Sequence, residues 1–138
     1  FQYIYYYERV ITMVKCKVPV NKTEELVFVS HKKMVTIAKY DGDERIEVQL
    51  KDIDPIINTL MFLERVQWRI DKEYRDKPIK VKIPVNKTEE LVFVLQHEGM
   101  LNIEKYESDQ RIEVREKDLP RIIDSFIFVN EQENKYPK

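Results

Sequence analysis

The stretch PVNKTEELVFV occurs twice, as Pro19–Val29 and again as Pro84–Val94, the second start lying 65 residues after the first. The register holds beyond it. With one residue inserted near Gln96, His31 aligns with His97, Met34 with Met100, and IAKYDGDERIEVQLKD with IEKYESDQRIEVREKD. One unit has been duplicated. Its period is longer than that of common solenoid repeats, and two copies cannot build an array, so a pseudo-twofold pair within one chain is predicted.

Each copy reads as four strands followed by a helix. MVKCKVPV and IKVKIPV alternate apolar residues with lysines or other outward positions, the period of a strand with one covered face and one wet face. ELVFV is apolar throughout, which predicts a short strand covered on both faces. MVTIAKY and MLNIEKY supply the third strand and RIEVQL and RIEVRE the fourth, with Asp41-Gly42 and Ser108-Asp109 as turn residues. Asp52 or Asp54 with Pro55, and Asp118 with Pro120, mark helix starts. Behind them Ile56, Ile57, Leu60 and Leu63, and Ile122, Ile123, Phe126 and Val129, keep helical spacing, so one stripe faces a sheet. Between Arg65 and Pro78, the alternation of Val66, Trp68 and Ile70 fits a strand matching the N-terminal FQYIYYYE; a continued helix is the other option.

The expected fold class is therefore α+β. Two ββββα repeats, residues 1–65 and 66–138, form an intramolecular pseudo-dimer in which antiparallel sheets pack against helices around one shared core. Each doubly apolar strand takes cover from its own helix on one side and from the other copy on the other. Phe28 and Phe93 are the expected anchors of that repeat interface.

Composition narrows the function. The 138 residues carry a net charge of −1 with 36% charged side chains, so there is no global basic footprint of the kind nucleic-acid-binding domains usually show. Two glycines leave little room for a Gly-rich phosphate loop. A single cysteine, Cys16, excludes an intramolecular disulfide and favours a reducing intracellular setting, cytoplasm or nucleus and nucleoid. The sequons Asn21-Lys22-Thr23 and Asn86-Lys87-Thr88 then read as turn chemistry. No apolar run reaches membrane-spanning length, so no membrane partner is expected. The lack of methionine at position 1 predicts that Phe1 lies inside a longer gene product.

Chemistry-bearing clusters are few. His31 and His97 occupy equivalent hairpin positions with no cysteine or carboxylate at ligand spacing, so neither a metal nor another cofactor is expected. Cys16 falls on the apolar face of its strand and reads as a buried structural thiol. Glu24-Glu25 and Glu89-Glu90 are ordinary in so charged a chain and mark a solvated strand entry. Nothing supplies a nucleophile elbow, a phosphate loop or a metal triad, and a non-enzymatic protein is expected.

The ordered set NKTEELVFV, GMLNIEKY, RIEV and KDLPRIIDSF, running over Lys82 to Phe126 and matched over Lys17 to Leu60, resembles the positive cofactor four-like family of single-stranded DNA-binding transcriptional coactivators. It is also similar to the Pur-alpha type, where such repeats pair within one chain, and to the Whirly group. The resemblance implies a sheet face whose basic side chains follow phosphates and whose aromatics stack bases. On that face the alternation places Lys15 and Lys17, Lys80 and Lys82, then Thr36, Tyr40, Asn102, Tyr106, Arg45, Arg111 and Arg115. The implied function is non-enzymatic binding of single-stranded DNA or RNA in transcription or replication.

The chain departs from the family pattern at Val27, Val29, Ala38 and Glu104, and Glu47 and Glu113 lie between the arginines. An unspecialised, cross-strand-paired face would look like this. So would a protein-interaction module that has lost nucleic-acid binding and takes a protein partner or a further copy of itself. Tyr3, Tyr5, Tyr6 and Tyr7 either cover a sheet edge or present a stacking or docking surface.

Overall fold

Alternation along one strand orients the whole molecule. In β2 (Met13–Pro19) Val14, Cys16 and Val18 are fully buried, whereas Lys15 and Lys17 on the other face are half-buried. Successive side chains of a strand point to opposite faces, so one face is core and the other is lysine-lined. The same division recurs in β3 (Glu25–His31), β4 (Met34–Lys39) and β5 (Arg45–Gln49). It recurs again in β7 (Glu90–Leu95), β8 (Met100–Lys105) and β9 (Arg111–Arg115). The computed structural model describes residues 6–10, 13–39, 44–69, 78–96, 98–106 and 108–135.

With β1 (Tyr6–Val10) and β6 (Ile79–Pro84) added, the strands form one antiparallel sheet in the order β1-β2-β3-β4-β5-β9-β8-β7-β6. The order of the second copy mirrors that of the first about the β5–β9 junction. Two helices, α1 (Ile53–Arg69) and α2 (Leu119–Lys135), pack against each other and against the apolar face. The protein is thus α+β, a sheet covered by helices. Each helix follows a short 3-10 turn, Leu50–Asp52 or Glu116–Asp118, that carries the chain off the last strand of its copy. Among the described residues no helix is long and apolar enough to cross a membrane.

The helices do not stay on their own copy. From the second copy, α2 lies over β2 and β3 of the first, while α1 lies over β6. Phe126 of α2 meets Phe28 of β3 edge to face, with centroids 5.2 Å apart and planes at 85°. Cys16 of β2 points its thiol at Ser125 of α2, 4.0 Å away. Burial pushes that thiol above its ordinary range, and the Ser125 hydroxyl opposes the shift more weakly. On the other side of the helix layer, Asn130 of α2 donates to Asp54 of α1 at 3.2 Å. The geometry follows from length: each helix starts beside the junction, and seventeen residues reach about 26 Å, enough to traverse the neighbouring copy's strands. Buried apolar residues of both copies consequently fall in one contiguous cluster.

Two expectations are corrected by these contacts. The cover over β2 and β3 comes mainly from the other copy's helix, not from their own. Nor is ELVFV covered on both faces: Leu26 and Phe28 are buried under the helices, whereas Val27 and Val29 are only half-buried on the opposite face. Among the described residues no element is layered there, and neighbouring side chains shield them. The second copy is tighter, with Val92 8% exposed on that face. Between the copies, α1 continues through Val66 to Arg69, the helical option for this segment. Residues 70–77, Tyr3 and Tyr5 lie outside the described residues; Tyr6 and Tyr7 belong to β1, opposite Lys17 and Cys16 in register.

The repeated PVNKTEE opening is an inter-copy contact. Asn21 Oδ1 accepts from the backbone N–H of Thr23 and Glu24 at 2.8 and 2.7 Å, and Asn86 does the same for Thr88 and Glu89, so both sequon asparagines build Asx turns. The turns expose carbonyls to the other copy's helix entry. Arg121 donates to the Pro19 carbonyl at 2.6 Å and Lys51 to the Val85 carbonyl at 3.3 Å. Arg121 also pairs with the buried carboxylate of Asp118. At the equivalent place the first copy has Pro55, and Asp52 Oδ2 has no hydrogen-bond partner.

Removing Phe126 empties the contact that α2 makes on the other copy. A Phe126→Ala variant is expected to lose about 3–5 kcal/mol of stability, read as a lower denaturant midpoint with an unchanged slope. An unchanged midpoint would show that α2 is not anchored there.

Candidate nucleic-acid interface

Because both helices occupy one face, the other is formed, among the described residues, by the side chains of the sheet. From one side of the sheet to the other it presents Lys15 and Lys17 on β2, Val27 and Val29 on β3, Thr36 and Ala38 on β4, then Arg45 and Glu47 on β5. Past the junction come Arg111, Glu113 and Arg115 on β9, Asn102 and Glu104 on β8, Val92 and Val94 on β7, then Lys80 and Lys82 on β6. The two lysine columns are separated by seven strand spacings of about 4.8 Å, roughly 34 Å along the sheet. That is several times the screening length of about 8 Å at physiological salt, so they act on different charges of any ligand.

At the junction β5 and β9 pair through a single position, Arg45 opposite Arg111. Side chains then take over the ladder. Gln110 Oε1 accepts from the Glu47 N–H at 2.8 Å, and Glu44 Oε1, at the equivalent position of the first copy, accepts from the Glu113 N–H at 2.9 Å. The two exposed arginines are thereby held opposite one another on the outer face, although directly opposed like charges disfavour a sheet. Arg115 is exposed two residues along β9. Among the described residues, the ion pairs of this face are Lys17 with Glu25 at 4.0 Å and Lys82 with Glu90 at 3.8 Å, both long and near strand ends. The arginines at the centre take part in none. Glu104 nevertheless stands directly opposite Arg111 in the β8–β9 register, the opposite-charge placement that an unspecialised cross-strand-paired face would also have.

The remaining candidates fall as follows. Tyr106 is 56% exposed just past β8, where its N–H continues the ladder to the Glu90 carbonyl at 2.8 Å. Tyr40, its counterpart, lies outside the described residues, as does His97. Lys15 and Lys80 flank half-buried Val29 and Val94 in register. Asn102 Oδ1, shielded on the same face, has no hydrogen-bond partner. Phe28 and Phe93 are fully buried on the opposite face and take no part in this surface. Among the described residues no cluster of three His, Cys, Asp or Glu side chains could hold a metal ion.

Sequence reading passed over one basic feature, the β3–β4 hairpin tip Lys32-Lys33. Neither residue is a turn former, and the tip carried no glycine or asparagine to draw attention. Comparison of the sequence with protein-family models and with curated proteins finds no match, which leaves the arrangement of the face as the guide to function.

Replacing one of the opposed arginines by a carboxylate turns a like-charge pair into an attractive one. An Arg45→Glu variant is expected to gain about 0.2–1 kcal/mol of stability, seen as a slightly higher melting temperature at low salt that fades as salt is added. A lower melting temperature would mean that the pair is not repulsive.

Proposed function

We propose that the protein binds single-stranded DNA or RNA on the outer face of its sheet, without catalysis, as a regulator of transcription or replication in an intracellular setting. The observation that carries this reading is the group Arg45, Arg111 and Arg115, exposed at the centre of the face and outside its ion pairs. A phosphate placed between opposed guanidiniums relieves their repulsion and gains charge-assisted hydrogen bonds, so the cost in the free protein becomes affinity in the complex. Lys15, Lys17, Lys80 and Lys82 extend the track outward, and the exposed Tyr106 offers a stacking surface. The resemblance to the positive cofactor four-like, Pur-alpha and Whirly proteins points the same way.

A labelled thirty-base single strand should bind at micromolar protein in low salt, with log affinity falling by about 0.7 per engaged phosphate for each decade of salt. Absence of binding under those conditions would sink the proposal. The rival use of the face, as a protein-docking module, draws on half-buried Val27, Val29 and Ala38 and on the glutamates that stand among the arginines. A stoichiometric protein partner retained after nuclease treatment would favour it.

The finer architecture belongs to the same proposal: the two repeats form an intramolecular pseudo-dimer, and neither half folds alone. It is supported by the mirrored strand order, the exchanged helices and the common apolar cluster. Deleting one copy would uncover Phe28, Leu26 and their neighbours, each worth about 1.5–3 kcal/mol when buried, against about 5–15 kcal/mol for the stability of a whole domain. Residues 1–69 and 78–138 expressed separately should be unfolded or should homodimerise. A cooperatively melting monomer from either would refute the pseudo-dimer.

A further inference from the structure

The two ends of the sheet are built from equivalent strands and finished differently. At one end β1 pairs with β2, with Tyr7 opposite Cys16 and Glu8 opposite Lys15 in register. On the repeat register Cys16 corresponds to Val81 and Lys15 to Lys80, both in β6. That strand is last in the sheet, and its partner among the described residues is β7 alone. Burial differs accordingly. Val14, Cys16 and Val18 are fully buried, whereas their equivalents Ile79, Val81 and Ile83 are only partly so. In the helix layer, Phe128 of α2 packs against the core, whereas its equivalent on α1, Phe62, is 50% exposed. Between Phe62 and β6 lies an open cleft of about 590 Å³ walled by α1 and β6. Among the described residues none of β7 lines it, so the cleft opens on the outer edge of β6.

A strand edge beside an apolar cleft offers main-chain hydrogen bonds and a side-chain pocket together, the two requirements for adding a strand to a sheet. The first copy shows what fits at the equivalent edge, a single antiparallel strand. Where β1 has YYERV, the repeat register sets DKEYR at residues 71–75, and Asp, Lys and Glu are types depleted in strands. A second copy fits no better. Antiparallel pairing of β6 with itself about Val81 sets Lys80 directly against Lys82, which is destabilising, and edge lysines guard a strand against its own kind. The same two lysines, exposed along β6, favour carboxylates; Lys82 meets Glu90 only at 3.8 Å and has three donors to share. We infer that β6 takes, by strand addition, an extended acidic segment of another protein. Its carboxylates stand in register with Lys80 and Lys82, and the aromatic or branched residue between them, in register with Val81, enters the cleft beside Phe62. The inference does not rest on the proposed function of the outer face.

The probe is a short capped peptide that alternates glutamate with tyrosine or valine, added to the whole chain and followed by amide hydrogen exchange. Before addition, the amides of Ile79–Pro84 should exchange faster than those of β2, which is paired on both sides. On addition they should slow, while those of β4 stay unchanged. The same peptide methylated on its backbone nitrogens keeps its charge but cannot pair, and should bind about tenfold or more less tightly, as should the unmodified peptide to Phe62→Ser. If the amides of β6 in the free protein are already as slow as those of β2, the edge is filled by the chain itself or by a second copy and the inference falls. It falls equally if the peptide does not bind, if it binds without slowing β6, or if methylation leaves its affinity unchanged, which would mark attraction of charge alone.

Discussion

The contact between Phe126 and Phe28 is the one on which the rest of the arrangement depends. It seats the second copy's helix on the first copy's strands, and the packing of α1 on β6 is its counterpart. Once the helices are exchanged in this way, β5 and β9 need hold each other through only one position. The junction can be thin because the layer above it is doubly crossed. A sheet of this width joined through a single pair would otherwise hinge there, and the two halves of its outer face would not form one surface.

From the same exchange comes the separation of roles between the faces. Both helices lie on one side, so every inward position must be apolar and every outward position is free to carry charge. Two inward polar residues have a local reason: Ser125 reaches the Arg121 carbonyl one turn earlier, at 2.8 Å, and Asp118 holds the Arg121 that caps Pro19, whereas the buried Ser30 hydroxyl and Asp52 Oδ2 have no hydrogen-bond partner. Outward, the constraint is only that strands tolerate what they bear. That tolerance is what allows Arg45 and Arg111 to stand opposite each other.

The strands and helices were legible because their periods were clean: Val14, Cys16 and Val18 alternate with lysine, and Ile56, Ile57, Leu60 and Leu63 step with the helix. Outward placement of Lys15, Lys17, Arg45, Arg111 and Arg115 followed from the same parity. What periodicity cannot carry is which copy a helix covers, since an apolar stripe fits either sheet. It also could not show that Val27 and Val29 would be left half open, because an apolar residue beside lysine stems reads like one beneath a helix. The Lys32-Lys33 turn was missed for the opposite reason, as both residues stand at positive φ, a conformation their types disfavour.

The net charge of −1 sums acids that are engaged in different places. Glu24 and Glu89 accept from the Asx-turn asparagines at 2.8 Å, Glu44 from a backbone N–H across the junction, and Asp118 pairs with Arg121. Each of these carboxylates counts in the formal balance of −1, yet each is engaged by a donor of its own, Glu44 and Asp118 close to the arginines of β5 and β9. Over distances beyond the screening length the fields of such acids are damped. A strand lying on the sheet would therefore meet the charges it touches and not the sum over the chain. Among the described residues the acids of the face are Glu25, Glu47, Glu90, Glu104 and Glu113; Glu113 stands between Arg111 and Arg115 on β9, and Glu104 lies directly opposite Arg111 in register. A phosphate on such a face meets guanidiniums and carboxylates side by side, and is favoured only where it lies nearer the guanidinium than the carboxylate.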